Sequence, residues 1–201
     1  MKDAPPLILA SGSKTRANML KNAGVCFDVV RPTVDEEALK ADMLVGGASA
    51  RVVADALAET KARTLSFSYP DAFVIGADQV LEKDGRIFSK ADTKAEASET
   101  LKALSGGQHQ LLSAVAVCQN GQTLWRHVES AKITVRPLEE SFIAHYLDTL
   151  GDDAFWSVGC YQLEGLGAQL FTKVDGDYFT VLGLPLLPLL DFSRRHGLLP
   201  L

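Results

Sequence analysis

The stretch "HQLLSAVAVCQNGQTLWRHVESAKITVRP", from His109 to Pro137, constrains the fold more than any other. Two long arms flank Asn120-Gly121, a dipeptide that accepts positive φ at both central positions of a tight hairpin turn. A hairpin of this length commits the chain to a sheet with a strong antiparallel component. The N-terminal part reads differently. Leu7–Ala10 is a short apolar run fit for a buried strand, Lys14–Ala23 follows as a helix, and Gly24 is a natural helix stop. "CFDVVRP" predicts a second strand and "TVDEEALKAD" the start of a helix. "SARVVADALAETKARTLSFSYP" predicts an amphipathic helix with Val52, Ala56 and Leu57 on its apolar face. "DAFVIGADQVLEKDGRIFSK" predicts a buried strand, a polar break, and a hairpin around Lys83-Asp84-Gly85-Arg86. Helices over "TKAEASETLKALSG", "EESFIAHYLDTL" and "LPLLPLLDFSRRHG", with a further hairpin over "GAQLFTKVDGDYFTVLG", complete the plan. The expected class is mixed α/β (α+β), a single domain over residues 1–201 around one twisted mixed sheet.

Composition narrows the chemistry. A net charge of −5 gives no electrostatic case for general nucleic-acid binding, so an anionic ligand needs a local cluster of cations. No apolar stretch reaches the roughly 18 residues of a membrane span, and "MKDAPP" lacks the apolar core of a signal peptide. Cys26, Cys118 and Cys160 are scattered and odd in number, which argues against a disulfide scaffold or zinc site and suits a reducing cytoplasm. His109, His127, His145 and His196 show no ligand spacing.

Three segments could carry chemistry. Between the first strand and the first helix lies Ser11-Gly12-Ser13-Lys14-Thr15-Arg16. Free backbone N–H groups there form a ready phosphate site, to which Ser13 adds a hydroxyl and Arg16 a guanidinium fork. The alternative is a plain helix cap, with Ser13 as the N-cap and Arg16 solvated. Asp78, in "VIGADQV", follows an apolar strand, where either a catalytic acid or a turn-initiating Asp belongs. Glu164 sits between Gly159 and Gly167, where the backbone can close on a flat ligand or simply turn. Asp35-Glu36 could supply oxygen ligands to a divalent ion or favour a helix N-terminus. Lys61 and Lys90 could be phosphate contacts or solvated lysines.

The order of "LILASGSKTR", "VDEEAL", "ETKA", "VIGADQV", "GRIFSK", "LSGGQHQLLSAVAV", "VRPL", "GCYQLEGLGAQLF" and "DGDYFTVLGLPL" resembles the Maf family of nucleoside triphosphate pyrophosphatases, once described as septum-formation proteins. The resemblance runs from about Leu7 to about Leu190. It implies a Maf/ITPase-like fold and hydrolysis of a nucleoside triphosphate to the monophosphate and pyrophosphate with Mg²⁺ or Mn²⁺. It implies Asp78 as general base, with Lys90 beside it in the catalytic set. Ser13, Arg16 and Lys61 fall at phosphate positions, and Glu36 joins Asp78 at the metal. Thr15, Gln79 and Glu164 occupy the base-selecting slots. The dTTP/UTP branch typically has Arg, Thr and Gln there, so this chain looks like the 7-methyl-GTP branch. Lys14-Thr15 and Ala91 depart from the usual pattern, which shows Pro followed by Arg or an aromatic, and Pro, respectively. A homodimer is the assembly the resemblance suggests. A pyrimidine nucleotide enzyme and a non-catalytic regulator of cell division are the competing expectations.

Overall fold

The computed structural model describes residues 5–199; residues 1–4 and 200–201, and with them most of the "MKDAPP" segment, lie outside the described residues. The first strand, β1 (Leu7–Ala10), runs into helix α1 (Lys14–Asn22) and then β2 (Asp28–Val29). Helices α2 (Glu36–Val45) and α3 (Ala50–Ser66) lead to the long strand β3 (Phe73–Lys83) and its short partner β4 (Arg86–Phe88). After α4 (Lys94–Leu104) comes the hairpin of β5 (Gln108–Gln119) and β6 (Gln122–Val135). Helix α5 (Glu140–Leu150), two 3₁₀ turns, strand β7 (Phe171–Asp175), a helical turn α6 (Tyr178–Val181) and α7 (Leu186–Arg195) close the chain.

One seven-stranded mixed sheet organises these elements, in the order β2-β1-β3-β5-β6-β7 with β4 also on β3. The β2-β1-β3 side is parallel, as helical crossovers require, and the rest is antiparallel. The Asn120-Gly121 turn forms as predicted, with φ of +46° and +74°. Among the described residues no helix is long and apolar enough to cross a membrane.

Alternation along β3 divides the core. Val74 and Val80 face α3, whereas Ile75 and Ala77 face α1 and α7. A third cluster gathers Leu81, Leu111 and Ile133 against α4 and α5, and takes in Ala91. The buried face of α3 is Val53, Ala54, Leu57, Ala58, Lys61 and Ala62. Leu57 is where the sequence puts it, but Val52 is exposed, a rotation from the predicted face. Its cause is Gly76. A Cβ there would lie 2.1 Å from the Ala58 carbonyl oxygen, so the alanines of α3 sit directly on bare β3 backbone.

Three further expectations are corrected. There is no polar break in "GADQ": β3 is continuous, because β5 pairs with it residue by residue from Val74 to Glu82. The second hairpin does not form either. Residues 171–175 add an edge strand to β6, and Asp177 then accepts from the Thr180 amide at 2.9 Å and turns the chain into α6. "CFDVVRP" shrinks to Asp28–Val29.

Beneath the sheet, His109 is buried with its Nε2 2.6 Å from the Tyr161 hydroxyl, while its Nδ1 has no partner among the described residues. Burial, helped by the nearby Lys83 cation, pushes the His109 pKa down to about 4. This histidine is a neutral core group, in keeping with the absence of ligand spacing.

Candidate active site

The site opens where β3 lacks a neighbour. β5 covers one edge of β3 along its length, so β1 and β4 must share the other. β1 stops at Ala10 opposite Gly76, and β4 begins pairing at Leu81. Ala77–Val80 therefore present an edge with no strand beside it, and a cleft of about 1220 Å³ lies against that gap. Backbone groups in such a gap need other partners. Arg16 supplies one: its Nη1 donates to the Ala77 carbonyl at 3.0 Å and its Nε to the Gly183 carbonyl at 2.8 Å.

Asp78 lies in mid-strand, not after a strand as the sequence suggested, and shares the α3-facing side with Val74 and Val80. Lys61, on the buried face of α3, meets it at 2.7 Å (Nζ to Oδ1). The same ammonium lies 2.6 Å from Glu36 Oε2. Gly76 makes this meeting possible by letting α3 approach β3. Both Asp35 and Glu36 stand at the start of α2, as the helix N-terminus reading expects. Asp35 is the N-cap of α2, accepting from the Ala38 amide at 3.0 Å, and Glu36 joins the charge cluster. Lys61 is 5% exposed and Asp78 8%, so neither is a solvated surface charge.

Ser13 is the helix cap that one of its readings expects. It caps α1, accepting from the Arg16 amide at 3.3 Å, and it lines the cleft. Burial lowers the Arg16 pKa from its ordinary value, opposed by the charges of Asp78 and Glu36. Lys90 lines the cleft just past β4. Enclosure by the cleft walls lowers its pKa, the Arg16 cation adds to that, and Glu36 opposes it. A cleft holding Arg16, Lys61 and Lys90 around two carboxylates is set up for a polyanion.

Thr15, Gln79 and Glu164 all line the same cleft. Gln79 projects to the face opposite Asp78, and because the β3 edge is open both residues still border one cavity. Its amide nitrogen lies near Ser113 Oγ, Thr180 O and Val181 O at 3.0–3.1 Å. The two carbonyls are acceptors only, which fixes that end of the amide as nitrogen. Gln79 is thus held by β5 and α6. Glu164 is exposed in the turn before the second 3₁₀ segment.

Sequence reasoning missed Arg31, Lys40 and Trp156, which also line the cleft. Lys40 donates to Ser89 Oγ next to Lys90. Arg31 packs over Gly12, where a Cβ would lie 3.2 Å from its Nε. Only the tryptophan left a visible signal, as a lone indole in the short run between Gly151 and Gly159.

The donor set suits a hard cation. Glu36 and Asp78 offer oxygen only, and among the described residues no group of three or more His, Cys, Asp or Glu side chains comes together as a cage. Two carboxylates with waters and phosphate oxygens are the usual company of Mg²⁺.

Fold and cleft together define an α/β protein with cations and carboxylates gathered at the open edge of a mixed sheet. The model of the family described as Maf-like protein matches residues 6–196, and the chain belongs to that family. It is 51% identical to a protein of Caulobacter vibrioides named nucleoside triphosphate pyrophosphatase, over 96% of this chain and 97% of that one. A protein of Rhizobium meliloti named 7-methyl-GTP pyrophosphatase is 47% identical over 96% and 97% of the two chains. One of Brucella abortus with the same name is 49% identical over 94% and 96%.

Proposed function

We propose that this chain cleaves the α–β phosphoanhydride of 7-methyl-GTP or another modified purine nucleoside triphosphate, releasing the monophosphate and pyrophosphate, with Mg²⁺ or Mn²⁺ as cofactor. Relatives about half identical over nearly the whole chain are named for nucleoside triphosphate pyrophosphatase activity, and the chain is an enzyme of that class. The observation that carries the rest is the buried Lys61–Asp78 pair with half-exposed Glu36 on the same ammonium, beside Arg16 and Lys90.

Such hydrolysis asks the protein for position and charge neutralisation more than for covalent chemistry. Ser13 and the first turn of α1 offer a hydroxyl and backbone N–H groups to one phosphate. Arg16 has Nε and Nη1 fixed by backbone carbonyls, so the remaining guanidinium nitrogen is held ready for a phosphate oxygen. Lys90 brings charge from the opposite wall. Glu36 and Asp78 would hold the divalent cation, which supplies charge neutralisation and a more acidic water. Asp78, oriented by the Lys61 ammonium, takes the proton from the attacking water.

Glu164 supports the choice of base. Guanine presents N1–H and N2–H₂ side by side, and one carboxylate accepts both. Methylation at N7 makes the base cationic, which favours a carboxylate further. A pyrimidine presents an acceptor beside its donor and leaves that acceptor against like charge, at about 1–3 kcal/mol.

The test is pyrophosphate release from 7-methyl-GTP, GTP, dTTP, UTP and CTP with Mg²⁺ or Mn²⁺. Preference for 7-methyl-GTP is the expected result. Preference for dTTP or UTP would overturn the reading of Glu164 and keep the reaction. Nucleotide binding without release from any of the five would overturn the reaction itself in favour of a regulator.

A further inference from the structure

Trp156 ends the 3₁₀ turn Gly151–Trp156 and lines the cleft with its residue surface 53% exposed. Lys14 Nζ lies over the indole, 5.4 Å from the ring centroid. Lys14 is the first residue of α1, directly after Ser13. The indole thus stands one lysine length from the phosphate cradle, near where a base would lie if its phosphates rested on Ser13 and Arg16. Glu164 borders the same cavity.

A large flat π surface that already holds a cation is a receptor for a flat cation. Resting on the reading of Glu164 given above, we infer that Trp156 is the stacking platform for the base, and that Lys14 is a displaceable cation covering the ring until a base arrives. Every purine would stack on the indole. A base alkylated at N7 carries its own positive charge, so it replaces the attraction that Lys14 loses, whereas neutral guanine does not. The platform therefore discriminates alkylated from unmodified purine by charge, while Glu164 discriminates purine from pyrimidine by hydrogen bonding. Lys14 and Trp156 oppose one another in this scheme. The lysine competes with the cationic base for the ring and repels it, and the tryptophan attracts it.

This opposition gives the test its signs. Binding of the products 7-methyl-GMP and GMP is measured by calorimetry, with no turnover, on the wild-type protein and on Trp156→Leu and Lys14→Gln. Trp156→Leu is expected to lower the 7-methyl-GMP:GMP affinity ratio by about three- to thirty-fold, the range spanned by exposed to desolvated cation–π contacts. Lys14→Gln is expected to raise that ratio. Trp156→Phe, which keeps a weaker π face, should fall between wild type and Trp156→Leu. An unchanged ratio in Trp156→Leu, or a ratio that falls in both Lys14→Gln and Trp156→Leu, would overturn the platform. Glu164→Gln in the same assay separates the two ideas. If it leaves guanine binding unchanged while Trp156→Leu lowers the ratio, the Glu164 reading fails and the platform stands.

Discussion

At the deep end of the cleft, Glu36, Lys61 and Asp78 come from three different elements and are tied by contacts of 2.6–2.7 Å, with Arg16 clamped to two backbone carbonyls beside them. At its mouth, Glu164, Thr15, Lys14 and Trp156 sit on turns and a helix start, and Lys14 and Trp156 meet as an ammonium over an indole. The deep end has its geometry settled before any ligand arrives, as reacting groups must. The mouth keeps its groups adjustable, as groups that choose among similar bases can. Substitutions deep in the cleft should therefore act on rate and stability, and those at the mouth on the ratio between substrates.

The largest break in that contrast should come from Asp78→Asn. It is isosteric and cannot take a proton, so kcat should fall by about 10²–10⁴-fold with nucleotide binding retained. A fall in affinity with kcat unchanged would make Asp78 a binding group. Lys61→Met should show that the deep end is also structural. It leaves Asp78 buried beside Glu36 with no cation in direct contact, a loss of about 3 kcal/mol in urea unfolding. An unchanged midpoint would mean that water replaces the ammonium freely. Glu164→Gln should leave kcat for GTP nearly intact and reduce purine over pyrimidine preference by about ten-fold in kcat/KM. A uniform loss on all nucleotides would erase the distinction between the two ends.

The smallest effect is one of pH. Lys90 is held below the ordinary lysine value of 10.5 by burial and by Arg16, so the free enzyme loses that proton earlier as pH rises. The protonated form neutralises phosphate, and kcat/KM should fall on the alkaline side below pH 10.5. Bound phosphates favour the charged form, so the same limb in kcat should lie higher. Lys90→Arg should remove both limbs, as a guanidinium keeps its proton over this range. A limb that survives in Lys90→Arg belongs to another group.

Much of the deep end could be read from the sequence because its parts are local. Ser13 and Arg16 occupy a strand-to-helix turn whose apolar run, small residues and helical pattern are all contiguous. Asp78 stands out as a lone acid in an apolar stretch. Its setting could not be read, because that β3 runs on through it depends on the pairing with β5 and on the closeness of Ala58 to Gly76. The burial of Lys61 was hidden for the same reason: it depends on how α3 is rotated, and a glycine on another element sets that rotation. "GAQLFTKVDGDYFTVLG" alternates well enough to suggest two strands. Its second arm turns helical at the Asp177 cap, a side-chain bond to the Thr180 amide. Trp156 drew no notice because an indole in a short turn, beside Phe155, has no periodicity to mark it out.

The gap along Ala77–Val80 has a consequence of another kind. An unpaired strand edge is a template on which a neighbouring molecule can add a strand of its own, the first step toward aggregation. This edge cannot be filled with protein if it is to admit a nucleotide, so it must be guarded in other ways. Strands β1 and β4 close it from both ends, leaving a window shorter than most strands, and the Arg16 guanidinium occupies the carbonyl at its start. The side chain proposed to receive a phosphate thus doubles as a gatekeeper for solubility. Replacing it with a small apolar residue would expose a sticky edge as well as disarm the cleft.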